Sequence, residues 1–204
     1  MPAEKSRPDK HDAITRAASE MFLAEGFDRT SLDQIAQRAG VSKQTIYSHF
    51  ADKEALFKAI CAELTEKLTI PLRQQPKQKA DLRSILIRFG EDALAMMLHP
   101  ASLDLHRLIV SASARFPELG RAAYEAGASR MIEELGALIA ERSRSGDGFA
   151  KSVEEDRARI LAEQFLGMIR GLHQARGLLG IDPAPAAALK AYVADCADLL
   201  LRGA

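Results

Sequence analysis

Between Ser31 and Phe57 the chain writes two short helices around a single glycine, and this pair constrains the N-terminal fold more than any other segment. The Ser31 hydroxyl can cap the first helix and the Ser42 hydroxyl the second. Leu32, Ile35, Ala36 and Ala39 recur at helical spacing and share one apolar face. Gly40 supplies the left-handed backbone that a sharp turn between helices needs. Val41 and Ile46 are apolar and can hold the pair against a third helix. Lys43, Gln44, Thr45, Tyr47 and His49 are left facing outward on the second helix. A short rod carrying donors, acceptors and an aromatic hydroxyl is what a helix-turn-helix lays in the major groove.

The remainder reads as helix throughout. A first helix opens at Pro8 and Asp9 and runs to about Glu25, with Ile14, Ala17, Ala18, Met21 and Phe22 on its apolar face. Residues 1–7 read as a disordered arm. Asp52 can cap a fourth helix that carries Leu56, Phe57, Ile60, Leu64 and Leu68 and stops near Pro71. The Pro-, Gln- and Lys-rich residues 71–80 form a polar linker. Further helices are expected over 81–98, 101–115, 117–144 and 153–179, and from Pro183 onward. With no segment of alternating β-branched residues and no internal repeat, the fold class is all-α, with about nine helices.

Two motifs then carry a resemblance. The run from Gly40 to Phe57, with Tyr47-x-x-Phe50 followed by Lys53-Glu-x-Leu56, resembles the signature of TetR-family transcriptional repressors. Ile14, Met21, Phe22, Gly26, Phe27, Thr30, Ser31, Ile35 and Ala36 resemble the first two helices of that family. The stretch His106–Gly127, around Arg115-Phe-Pro-Glu-Leu119 and Tyr124, resembles more weakly the C-terminal domain of its AefR-like branch. The resemblance implies a DNA-binding domain over 8–54 and an effector-binding and dimerisation domain over 55–204. It implies base contacts from Lys43, Gln44 and Thr45. Tyr47, His49 and Lys53 would then grip phosphate, with Thr30, Ser31, Gln34 and Ser42 joining them or acting as helix caps. Many relatives carry a small residue at position 44, so Gln44 departs from the common pattern and can add a base contact, bidentate to adenine.

The family dimerises through its last two helices. Phe165, Ile169, Leu172, Leu189, Tyr192, Val193, Cys196, Leu199 and Leu200 are the candidate dimer residues. Residues 160–172 are apolar around most of the helix, which calls for burial on more than one side. Gly167 and Gly171, four apart, suit close approach of another helix. A ligand pocket needs a few polar groups on an apolar wall. Candidate wall residues are Phe89, Met96, Met97, Leu103, Phe116, Met131, Phe165 and Met168, and candidate polar groups are His106, Tyr124 and His173. Methionines and aromatics at helical spacing are more often plain core, and such polar residues are more often satisfied interior or surface groups.

Composition excludes more than it selects. Formal net charge is zero, and residues 1–56 carry eight Lys or Arg against nine Asp or Glu, so this is no basic nucleic-acid coat. Charge is local: residues 34–51 hold Arg38, Lys43 and His49 and no acid. Cys61 and Cys196 are far apart among apolar residues and read as buried thiols. The five histidines (His11, His49, His99, His106, His173) show no metal-ligand spacing. No nucleotide-binding glycine motif, nucleophile elbow or zinc-protease motif occurs, so no catalytic residue and no cofactor is expected. With no signal segment and no run of about 18 apolar residues, the expected location is the cytoplasm, away from membranes. The expected partners are a palindromic double-stranded operator, a second copy of the chain and a largely apolar small-molecule effector. An activator or architectural DNA-binding protein without an effector is the alternative.

Overall fold

The computed structural model describes residues 10–73 and 80–203. The expected N-terminal arm, the helix-opening Pro8 and Asp9, most of the 71–80 linker, and the side chains of Leu64 and Leu68 lie outside the described residues. Among the described residues there are helices and no strands. They run α1 (Lys10–Glu25), α2 (Leu32–Ala39), α3 (Lys43–His49), α4 (Lys53–Arg73), α5 (Leu82–Leu98), α6 (Pro100–Ser113), α7 (Pro117–Tyr124), α8 (Arg130–Arg144), α9 (Glu155–Leu178) and α10 (Ala186–Arg202). A five-residue π turn, Glu125–Ser129, joins α7 to α8. The single rod expected from Pro117 to Arg144 is therefore present but interrupted, which accounts for the added element beyond nine.

The chain sorts into two compact units. Among the described residues, the first contains 10–63 and Leu108–Ala126, the second 64–73, 80–107 and 127–203. Nothing in the sequence pattern places Leu108–Ala126 with the N-terminal helices. The physical reason lies in the Arg115-Phe-Pro corner. The Phe116 ring meets Phe27 at 5.8 Å, and the Arg115 guanidinium donates to Asp28 at 2.6 Å.

The first unit is centred on Ile14, Ala18, Phe22, Ile35, Ile46, Leu56 and Phe57, all at most 1% exposed. Phe22, Phe27 and Phe57 form a mutual aromatic cluster with centroids 5.2 to 5.9 Å apart, a spacing at which edge-to-face pairs add to plain burial. Gly40 closes α2 at φ +67°, where a side chain would be strained, and its N–H returns to the Ala36 and Gln37 carbonyls.

The second unit buries Leu86, Phe89, Met97, Leu135, Ile139, Leu161, Phe165, Val193 and Leu200 in one core built from α5, α8, α9 and α10. Its α9 is not continuous. Gly171 sits at φ +39°, ψ −138°, a conformation open to glycine only. The Tyr192 hydroxyl from α10 donates to the Met168 carbonyl at 2.6 Å, and the His173 ring stands edge-on to Tyr192 at 4.8 Å. The break thus gives Gly171 a backbone reason that the expected close helix approach did not include.

Candidate nucleic-acid interface

The recognition element is built by its caps. Ser31 accepts from the Gln34 N–H at 3.3 Å while the Gln34 side chain accepts from the Ser31 N–H at 2.8 Å, a complete capping box. Ser42 accepts from the Thr45 N–H at 3.1 Å, and its hydroxyl lies 2.8 Å from that of Thr45. The serine hydroxyls are thus engaged within the turn. The Thr45 hydroxyl is turned the same way, toward Ser42. Ile46 (0% exposed) and Phe50 (5%) anchor the inner face of α3 in the core.

On the outer face, Lys43, Gln44, Tyr47 and His49 are exposed and Thr45 half-buried. Lys43 and Tyr47 are one turn apart, with the ammonium 6.0 Å from the ring centroid. His49 lies at the end of α3, its ring 6.0 Å from His11. The His11 ring also approaches Phe50, at 5.1 Å, and its Nδ1 is 3.4 Å from Glu63. Lys43 and Tyr47 thus form one pair on this helix, and His49 with His11 forms a second group at its C-terminal end.

Two predicted contact residues are placed elsewhere. Thr30 is 1% exposed, and its hydroxyl donates to the Gly26 carbonyl at 2.9 Å. Lys53 is half-buried, and its ammonium donates to the Phe27 carbonyl at 2.7 Å and the Thr30 carbonyl at 2.9 Å. It also sits over the Phe27 ring at 4.3 Å from the centroid. Both residues fasten the α1–α2 loop in place.

The acid-free window holds cations that are already matched. Arg38 donates to Glu20 at 2.9 Å, and Lys43 reaches Asp33 at 2.7 Å. The Asp33 hydrogen bond, followed by its charge, raises the Lys43 pKa above the ordinary lysine value. Asp33 lies immediately before 34–51 and Glu20 well upstream on α1, so a linear window did not find them. A search for acids one helix back from each cation is the signal that could have.

In the second unit the candidate pocket residues scatter. Phe89, Met97, Leu103, Met131 and Phe165 are core, while Met96, His106, Met168 and His173 are half-buried. Phe116 and Tyr124 belong to the first unit, where Tyr124 is exposed. A concavity of about 470 Å³ between α9 and α10 is lined by Leu161, Gln164, Gly167, Met168, Leu199, Leu200 and Gly203; of the candidates for the effector wall it includes only Met168. Of the candidate dimer residues, Phe165, Ile169, Val193, Cys196 and Leu200 point into the subunit's own core, Leu189 and Tyr192 are half-buried, and Leu172 and Leu199 are exposed.

Comparison with known proteins gives the following. Residues 14–60 match the family model for bacterial regulatory proteins of the tetR family, and residues 84–203 match that for the C-terminal domain of AefR-like transcriptional repressors. The transcriptional activator FasR of Mycolicibacterium smegmatis is 35% identical over 80 residues, 39% of this chain and 36% of FasR. The regulator RutR of Escherichia coli K12 is 31% identical over 150 residues, 70% of this chain and 63% of RutR. The chain thus spans less than two thirds of these curated relatives. The solved structure of the flavonoid-responsive regulator FrrA superposes with a TM-score of 0.73 at 34% identity, covering 95% of this chain and 96% of FrrA.

Proposed function

We propose, from the premise that this chain belongs to the TetR family of bacterial transcriptional regulators, that it is a homodimeric repressor released from its operator by a small-molecule ligand. The observation that carries this reading is the capped, outward-facing α3, with Lys43, Gln44 and Tyr47 exposed on a helix anchored from behind by Ile46 and Phe50. Gln44 and the Thr45 methyl read base edges, and Lys43 joins them. Tyr47 and His49 contact phosphate. Ser31, Gln34 and Ser42 act as helix caps, and Thr30 and Lys53 hold the α1–α2 loop. Phosphate contacts fix register, and base contacts specify sequence.

Dimerisation is assigned to the outer face of α9 and α10. Leu172 is 78% exposed and Leu199 61%, so both are open to a partner. A Cβ at Gly167 would meet nothing within 4 Å, leaving room for a partner helix. The functional division assigned is 8–54 for DNA and 55–204 for effector and dimer. The effector is largely apolar, and flavonoids, the class in the name of FrrA, are the first compounds to screen. Ligand moves the dimer between two states only by its differential affinity for them. Helix α4 contributes residues to both units and is assigned as the lever between the two states. The place of action is the cytoplasm; no described helix is long and apolar enough to cross a membrane.

The test combines two readouts. Sedimentation of wild type against Leu172→Glu/Leu199→Glu is expected to show a dimer and a monomer. Transcription from a promoter carrying the bound site is expected to fall with protein and to recover with ligand. Rising transcription with added protein would instead establish an activator, the sign that the FasR name carries.

A further inference from the structure

We infer that Asp33 determines specificity on the DNA face by withholding Lys43 from phosphate. The inference rests on the reading that this face binds DNA. Lys43 is the first residue of α3, and its Nζ lies 2.7 Å from Asp33 Oδ1 and 2.9 Å from Oδ2. Both side chains are more than half exposed, so the pair contributes little to folding stability. Nor is Asp33 needed as a cap, because Ser31 and Gln34 complete the capping box without it.

A carboxylate on a surface that meets a polyanion weakens binding to every duplex. Its effect is not uniform, however. On arbitrary DNA, Lys43 is offered only a phosphate oxygen, and Asp33 already supplies an equivalent anion at hydrogen-bond distance. Taking the phosphate would also strand the Asp33 charge beside the backbone. At the operator a base acceptor, such as guanine O6 and N7, is added to the base contacts of Gln44 and Thr45, and the exchange becomes favourable. Asp33 therefore lowers non-specific affinity more than specific affinity. Arg38 and Glu20 repeat the arrangement on the neighbouring helix, at 2.9 Å.

The experiment measures dissociation constants of the full chain for a selected operator duplex and a scrambled duplex of equal length, across about 50 to 300 mM salt. Asp33→Asn is expected to tighten scrambled binding by about three- to tenfold and to steepen its salt slope by about 0.9 per protomer, the signature of one added phosphate contact. Operator affinity is expected to rise less, so the specificity ratio falls. Asp33→Glu, which keeps the charge within reach of Lys43, is expected to restore the wild-type ratio. In a Lys43→Gln background, Asp33→Asn is expected to leave the slope unchanged. An equal gain on both duplexes, or the same gain without Lys43, would overturn the proposal and leave a long-range charge effect. Failure of the wild type to bind either duplex at the lowest salt would remove the DNA reading itself, and this inference with it.

Discussion

Replacing Lys53 with methionine separates two roles that one side chain could play. The family motif places this lysine at a phosphate, whereas the structure spends its ammonium on the Phe27 and Thr30 carbonyls at 2.7 and 2.9 Å. Methionine keeps the length and removes the charge. Hydrogen bonds to a charged group contribute about 1.5–3 kcal/mol each. The cation above Phe27 adds about 0.5–1 kcal/mol. Lys53 is only half-buried and water can reach part of what it leaves, so the low end applies and the total is about 3–4 kcal/mol. With a urea m-value of about 2 kcal/mol/M, the midpoint for the first unit should fall by about 1.5–2 M. Protomer concentration must be held fixed, because dimerisation itself shifts the midpoint. The salt slope of DNA binding should change little. An unchanged midpoint with a slope shallower by about 0.9 per protomer would refute the reasoning and return Lys53 to the phosphate.

Four further outcomes are expected. Gly171→Ala should cost about 1–3 kcal/mol in urea melts, because φ +39° strains any side chain and the new Cβ would meet the Tyr192 hydroxyl oxygen at 3.0 Å; a stabilised variant would mean that the break in α9 is not a fixed feature. Burial and then the Arg170 charge hold the His106 pKa below its ordinary value of 6.5. The unfolded chain therefore binds this proton more readily, and stability should fall as pH drops below about 6.5 and on toward the folded pKa; His106→Gln should flatten that part of the profile. Burial pushes the Cys61 thiol up to about 11, so it should resist a maleimide in the native protein at neutral pH and react once urea unfolds it. Gln44→Ala should relax preference at one base position by about 1–3 kcal/mol; an equal loss on every sequence would show that Gln44 does not read bases.

How much was legible in the sequence follows from the range of the interactions. The turn at Gly40, the caps at Ser31 and Ser42, and the core position Ile46 depend on neighbours within a few residues, and all were readable from spacing. The partners of the cations were not. Asp33 lies ten residues from Lys43, and Glu20 eighteen from Arg38, so only the packing of separate helices brings them together. The Phe27–Phe116 contact spans nearly ninety residues and drew Leu108–Ala126 into the first unit with no local signal at all. Helical periodicity also identified apolar faces in α9 and α10 without saying which neighbour each face meets. Leu172 and Leu199 share that pattern with Phe165 and Val193, yet the first two face outward and the others fill the core. The π turn at Glu125–Ser129 and the break at Gly171 are backbone departures inside stretches whose side-chain pattern reads as unbroken helix.

Selection from a random duplex pool by the purified protein, read by sequencing, tests the central claim most directly. The account predicts an enriched palindrome whose half-sites sit about 34–36 Å apart, one turn of the double helix, or a multiple of that. A pool that shows no enrichment, with bulk duplex not retarded even at low salt, would contradict it.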